Sequence, residues 1–264
     1  MELPVVLTVA GSDSGGGAGI QADLKTFHAC GVHGVCAVTS VTSQNTREVA
    51  ARCDLPAEVV ASQLETILGD IEVRSAKTGM LARSDTVDIV AGIMVGYGME
   101  RLVVDPVILS SSGQPLLDHH GLEILVERLL PLAVVFTPNL EEASTILGKD
   151  IVNRKDMREA ALELRDLGPS CVVVKGGHLG GEEAIDFYCD GERVVELAAK
   201  KVDTRDDHGT GCVFSAAVAA HLALGRFPLE AVRRAKQDVT RALSNSLHIG
   251  AGRGPIHPLP EAVE

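Results

Sequence analysis

No stretch of this chain approaches the about 20 consecutive apolar residues that a membrane-crossing helix needs, although 45% of its 264 residues are hydrophobic. Positive charge is scarce, with 24 Lys and Arg against 36 Asp and Glu and a formal net charge of -12. Nucleic acid and anionic membranes demand a basic surface, so neither is expected as the main partner. An anionic ligand can still bind at a locally basic or amide-rich spot. The six cysteines, at 30, 36, 53, 171, 189 and 212, form no CxxC pair and no metal-ligand spacing. They read as reduced thiols of a cytoplasmic protein. The start "MELPVVLTVAG" has no basic n-region and only a short apolar run, so it reads as a buried strand rather than a signal peptide. Neither GxxxxGK[ST] nor GxGxxG in the right register occurs, which removes a Walker-type loop and a dinucleotide fingerprint. There is no internal repeat, low-complexity tract or linker. Residues 1–264 are therefore expected to form one domain with a large core.

What is present is an alternation of short β-rich apolar runs with longer segments of helical period. A strand at 5–9 precedes a helix at 19–30, whose Ile20, Leu24 and Phe27 share a face. A strand at 35–41 leads through a loop to a helix over Ala57–Leu68, and Val73–Thr78 leads to a helix at 84–97. Leu102–Val104, 134–136 and 171–174 read as further buried strands. This rhythm predicts an α/β fold of three layers, with helices on both faces of a mostly parallel sheet. Residues 184–188 and 193–197, joined at Asp190 and Gly191, predict a small antiparallel hairpin at the sheet edge.

Ligands of such a sheet bind beyond the carboxyl ends of its strands, so the residues after each strand form one composite list. It contains "GSDSGGGAG" from Gly11, "TSQN" (42–45), "TGM" (78–80), "DP" (105–106), "TPNLEE" (137–142), "KGGH" (175–178) and "DDHGTGC" (206–212). The last segment opens an alanine-rich helix, so unpaired amides around Gly209, Thr210 and Gly211 and the positive dipole end make an anion hole. Cys212 stands at that helix start, where a thiol's pKa is expected to fall. The alternative is a plain turn with a small cysteine. Lys175 follows "CVVV", which cannot solvate a charge, so its ammonium is expected at the strand end, facing a phosphate or simply solvent. Asp105 and Glu142 can hold Mg2+ directly or through water, or can serve as helix caps.

Together "AGSDSGGGAGIQADLKTF", "VTSQNT", "KTGML", "DPV", "TPNLEEA", "VVVKGGH" and "HGTGC", in this order, resemble the hydroxymethylpyrimidine and phosphomethylpyrimidine kinases of the ribokinase-like family. The resemblance runs from about residue 3 to the tail "GAGRGPIHP". It implies the three-layer ribokinase-like fold and two ATP-dependent phosphorylations of 4-amino-5-hydroxymethyl-2-methylpyrimidine in thiamine biosynthesis. Gln44 is then the reader of the aminopyrimidine edge, since an amide sets a donor beside an acceptor. Gly11 and Asp23 lie on the substrate side, with Asp13 as a further polar contact, and Met80 and Val107 form apolar walls or belong to the core. The resemblance puts Cys212 with the Gly209 and Gly211 amides at the reacting hydroxyl, and Lys175 at the ATP phosphates. Asn139 and Thr210 fall on the nucleotide side, Asp105 and Glu142 on the Mg2+ side.

One departure is visible: after "DPV" the chain reads "ILSSSG", with Ser111 or Ser112 where many relatives carry a lysine. Two other readings stay open, a pyridoxal or pyridoxine kinase and a silent vitamin- or nucleotide-binding sensor on the same fold. A parallel sheet with an exposed edge hairpin also leads us to expect a homodimer.

Overall fold

Val6, Leu7 and Val9 on the first strand, like Leu102, Val103 and Val104 on a later one, are buried on both sides of the backbone. Such strands need cover on both faces of their sheet. The structure is a computed structural model that describes residues 3–109, 115–177 and 179–260. It holds nine strands: β1 (Val5–Asp13), β2 (His33–Gln44), β3 (Val49–Asp54), β4 (Val73–Thr78), β5 (Leu102–Val104), β6 (Ala133–Phe136), β7 (Cys171–Lys175), β8 (Glu183–Cys189) and β9 (Val194–Lys200). They form one sheet in the order β3-β2-β1-β4-β5-β6-β7-β8-β9. Pairings from β2 through β7 are parallel, whereas β3 on one side and β8 and β9 on the other run antiparallel.

Alternate side chains feed two cores. Leu7, Val9, Leu102, Val104, Phe136, Val172 and Val174 pack with α2 (Ala57–Leu68), α3 (Ser84–Gly96), α5 (Leu140–Leu147) and α6 (Arg154–Asp166). Val6, Val103, Val135, Cys171 and Val173 point the other way, onto α1 (Gly19–Ala29), α7 (Thr210–Ala223) and α8 (Pro228–Ser244). A short α4 (His119–Ile124) continues through a π-turn and a 3-10 turn into β6. Within α7 every residue from Val213 to Ala223 is buried, which suits a helix apolar all round, and its alanines let the sheet and α8 approach closely.

The expected fold is therefore present, with one correction. The sheet has antiparallel strands at both edges, because β3 occupies what the sequence presents as a loop. Its "VAARCD" is almost wholly exposed and has no core face, so the hydrophobic alternation that announces a strand is missing. Among the described residues no helix is long and apolar enough to cross a membrane.

Candidate active site

Because β1, β2, β4, β5, β6 and β7 run parallel, their carboxyl ends share one rim of the sheet, and the N-terminus of α7 meets it there. The glycine-rich turn after β1 is built around Asp13. Its buried carboxylate accepts from the amides of Gly15 (2.8 Å), Gly17 (3.0 Å) and Ala18 (2.9 Å), and His208 Nε2 lies 3.0 Å away. Burial alone would raise this acid, but the histidine and the amides outweigh it and hold the carboxyl below its ordinary range. Asp13 is thus not an open contact for substrate; it ties the glycine turn to the segment before α7. Gly209 has φ +85°, and any side chain on it would strike the Gly17 carbonyl. Glycine there lets the two loops touch, which brings the starts of α1 and α7 together.

Cys212 sits at that junction. Its sulfur accepts a hydrogen bond from the Gly19 amide at the start of α1, yet burial and the nearby Asp23 and Asp105 carboxylates push the thiol up to about 11. The lowered thiol pKa expected from the helix start alone is therefore wrong: desolvation outweighs the dipole. Of the first α7 amides, Thr210 reaches the Asp207 carbonyl and Val213 the Gly209 carbonyl. Those of Gly211 and Cys212 meet no backbone acceptor among the described residues. The Thr210 hydroxyl donates to the Asp207 carbonyl at 2.6 Å, so its side chain braces the turn.

Asp23 is fully buried, takes Lys77 Nζ at 2.9 and 3.1 Å and accepts from Thr8 Oγ1 at 2.6 Å. It thus forms an ion pair beneath Cys212. Burial leaves its carboxyl above the ordinary range despite Lys77.

The far side of the α7 start faces a charged cluster. Lys175 Nζ donates to Asp105 Oδ1 at 3.1 Å, and Ser215 Oγ, one turn into α7, donates to Asp105 Oδ2 at 3.0 Å. A Cβ on Gly211 would lie 3.5 Å from Lys175 Nζ, so the glycine leaves the ammonium accessible from the helix end. Burial works against the Lys175 charge, but Asp105 and Glu142 outweigh it and raise its pKa. Glu142 is 3% exposed, and burial with Asp105 nearby pushes it up to about 7. It shares a capping box with Asn139: Asn139 Oδ1 accepts the Glu142 amide at 2.9 Å and Glu142 Oε2 accepts the Asn139 amide at 2.8 Å. The Asn139 side-chain oxygen is therefore committed to α5. Val107 holds φ +41°, a costly conformation for a β-branched residue, and the turn it makes delivers the Ile108 amide to Glu142.

Gln44 ends β2 on this rim, with its amide between Thr42 Oγ1 and His208 Nε2, each 3.2 Å away. Met80 follows β4 and lies over Gly11, where a Cβ would meet its methyl carbon at 2.5 Å. The structure thus brings Gly11, Gln44, Met80, Cys212, Gly209, Gly211, Lys175, Asp105 and Glu142 to one end of the sheet. Ser111, Ser112 and His178 lie outside the described residues. His208, Lys77 and Ser215 were not singled out by the sequence, although His208 stands inside the quoted "DDHGTGC" and Lys77 inside "KTGML". Away from the rim, Cys30, His221 and Asp238 gather within 4.8 Å of one another. His221 already meets Arg226 at 2.9 Å and Asp238 meets Arg241 at 2.7 Å, so positive charge is supplied there by guanidinium groups.

Comparison with known proteins shows the family. The family model described as phosphomethylpyrimidine kinase matches residues 13–257. The hydroxymethylpyrimidine/phosphomethylpyrimidine kinase of Rhizobium meliloti (strain 1021) is 47% identical over 256 residues, covering 96% of each chain. The structure of phosphomethylpyrimidine kinase from Clostridium difficile 630 superposes with a TM-score of 0.81 at 40% identity, covering 91% of this chain and 99% of that one. An ADP complex of Bacillus subtilis pyridoxal kinase superposes with a TM-score of 0.90 at 38% identity, covering 97% and 98%.

Proposed function

The chain belongs to the phosphomethylpyrimidine kinase family, and we propose that it uses ATP to phosphorylate 4-amino-5-hydroxymethyl-2-methylpyrimidine and then the resulting monophosphate, in thiamine biosynthesis. The observation that carries this reading is the meeting of the α1 and α7 N-termini at Cys212, with the Lys175–Asp105 pair on one side and Gln44 on the other.

Gln44 would read the amino group and adjacent ring nitrogen, with Gly11 and the Met80 and Val107 side chains bounding the ring. The substrate hydroxyl would lie at Cys212, in line with the γ-phosphate. Phosphoryl transfer through a loose transition state needs little covalent help, so charge neutralisation dominates. The Gly211 and Cys212 amides and the Lys175 ammonium supply it, with the nucleotide on the Asn139 and Thr210 side. Asp105 and Glu142 offer Mg2+ two buried carboxylates, the oxygen donors it takes; burial first, and the Asp105 charge after it, raise the pKa of Glu142. Mg2+ there would neutralise phosphate charge.

A cytoplasmic setting fits a chain that carries its six cysteines as thiols. We also read the exposed β3 edge, with Val49 49% exposed, as a pairing surface for a second copy. A light-scattering mass of one chain would remove the homodimer.

The structural likeness to a pyridoxal kinase supports a second reading, phosphorylation of pyridoxal. An ATP-to-ADP assay offering the hydroxymethylpyrimidine, its monophosphate and pyridoxal, with products identified by mass spectrometry, separates the two. Mono- and then diphosphate from the pyrimidine is the expected result. Phosphorylation of pyridoxal alone would replace the first reading by the second.

A further inference from the structure

The hydrogen balance around His208 determines which way Gln44 faces. The Asp13 carboxylate already accepts three backbone N–H groups and is held below the ordinary carboxylate range, so it is ionised and can only accept. His208 Nε2 lies 3.0 Å from Asp13 Oδ2, and a bare ring nitrogen would set a lone pair against a carboxylate. Nε2 therefore carries the hydrogen, whether the ring is neutral or charged.

The same nitrogen lies 3.2 Å from one end of the Gln44 amide. The structure places the amide nitrogen at that end, but the one Nε2–H, shared between Asp13 and Gln44, requires an acceptor there, so we assign that end to the amide oxygen. Thr42 is consistent with the same result. Its one hydroxyl hydrogen has two acceptors in reach, and when it goes to the nearer, the Ser12 carbonyl at 3.0 Å, a lone pair faces the other end of the Gln44 amide at 3.2 Å. That end is then the NH2 group. Oxygen and nitrogen of an amide are almost isosteric, and the network decides between them.

We propose that His208 is a positioning residue that fixes the Gln44 amide with its oxygen toward His208 and its nitrogen toward Thr42, and so sets the donor–acceptor order with which the site reads its ring substrate. The proposal rests on the aminopyrimidine reading above. One lone pair on the oxygen and one hydrogen on the nitrogen remain open in this arrangement. They match an edge on which an amino group stands beside a ring nitrogen, the pairing that Gln makes with adenine. A flipped amide would set donor against donor and acceptor against acceptor.

The ring of His208 is well braced for this task. Its backbone amide donates to the Gly254 carbonyl at 3.1 Å, and its carbonyl accepts from Ile256 at 3.1 Å. Gly17 packs directly on the ring. The C-terminal tail thus reaches the substrate end of the site through one imidazole.

Two measurements test the proposal. In the 15N spectrum of the ligand-free protein, with the His208 signals identified by their loss in His208→Gln, Nε2 is expected to be protonated. A ring protonated only at Nδ1 would overturn the proposal whatever the enzyme turns over. In kinetics, His208→Leu is expected to raise KM for the hydroxymethylpyrimidine about tenfold, the scale of one bidentate contact. KM for ATP should stay within about twofold, since that site does not use Gln44. His208→Gln, whose amide nitrogen can stand in for Nε2–H, should recover most of the loss. Equal rises in both KM values, or no recovery in His208→Gln, would mean that His208 only supports the fold and would sink the idea. A wild-type enzyme inert toward the pyrimidine would remove the functional reading instead, and the tautomer would still decide the orientation of Gln44.

Discussion

At pH 7 a thiol pushed up to about 11 is ionised in only about one molecule in 10^4. Cys212 is therefore a poor reservoir of thiolate, and in the proposed mechanism it acts by holding the helix junction and placing the substrate hydroxyl rather than as a base. Cys212→Ala keeps the backbone amides, so kcat should fall by about tenfold, short of the ~10^2–10^3-fold that losing an oxyanion donor costs. Steady-state kinetics check this; a loss well beyond that range would restore the cysteine as base. Alkylation of Cys212 by iodoacetamide, followed by peptide mass, should rise steadily from neutral pH toward about 11. Below Cys212, Lys77 and Asp23 are both fully buried, 2.9 Å apart. Lys77→Met strands a carboxylate and should cost about 3–5 kcal/mol in urea unfolding, with much of it regained in Lys77→Met/Asp23→Asn. An equally unstable double variant would show that the pair does not couple. These residues also mark where local rules stop. Helix-start reasoning about Cys212 is sound for an exposed terminus, but burial and groups distant in sequence, Asp23, Lys77 and Asp105, decide its pKa.

Elements with a regular buried pattern were legible. Ala57–Leu68 stands as read because Val60 and Leu64 repeat at helical spacing, and Val73–Thr78 stands as read although only Val73 and Ala76 of its "VRSAKT" are apolar. The exposed β3 was not legible, since its partners are set by β2 and not by a core of its own. For Glu142 the sequence offers a cap or a metal ligand as alternatives, and what it did not show is that Glu142 serves α5 as a cap while it lies beside the charged cluster. That double role has a pH signature. With a folded-state pKa of about 7 against an ordinary 4.5, Glu142 binds its proton more tightly folded than unfolded. Stability is then fully present below about pH 4.5 and is lost as pH rises through about 7. Glu142→Gln never ionises and can still accept the Asn139 amide. In Mg2+-free buffer its Tm should gain on wild type between these two pH values and stay ahead above them. A pH-independent difference would contradict the raised pKa.

At the scale of the molecule, the rim was legible because every parallel strand contributes its carboxyl end to it, so that sequence order alone assembles the list of candidates. What the list could not contain is how the pieces touch: that His208 lies against both Asp13 and Gln44, or that α7 carries Cys212 on a helix with no free face. α7 packs between α1, α8 and the strands β1, β4 and β5, and Ser75 Oγ donates to the Ala219 carbonyl at 2.8 Å from the sheet beneath. Ala217 is completely buried at its centre. Ala217→Leu must displace the helix or its neighbours, at a cost of about 1–3 kcal/mol. If α7 is the rigid mount of the anion hole, that shift also moves the Gly211 and Cys212 amides, and kcat should fall together with the urea midpoint although no site residue has changed. Ala242, equally buried but on α8, is the control. Ala242→Leu should lower stability by a similar amount with a smaller loss of kcat. Parallel losses of kcat in the two variants would mean that α7 transmits nothing to the site beyond general loosening.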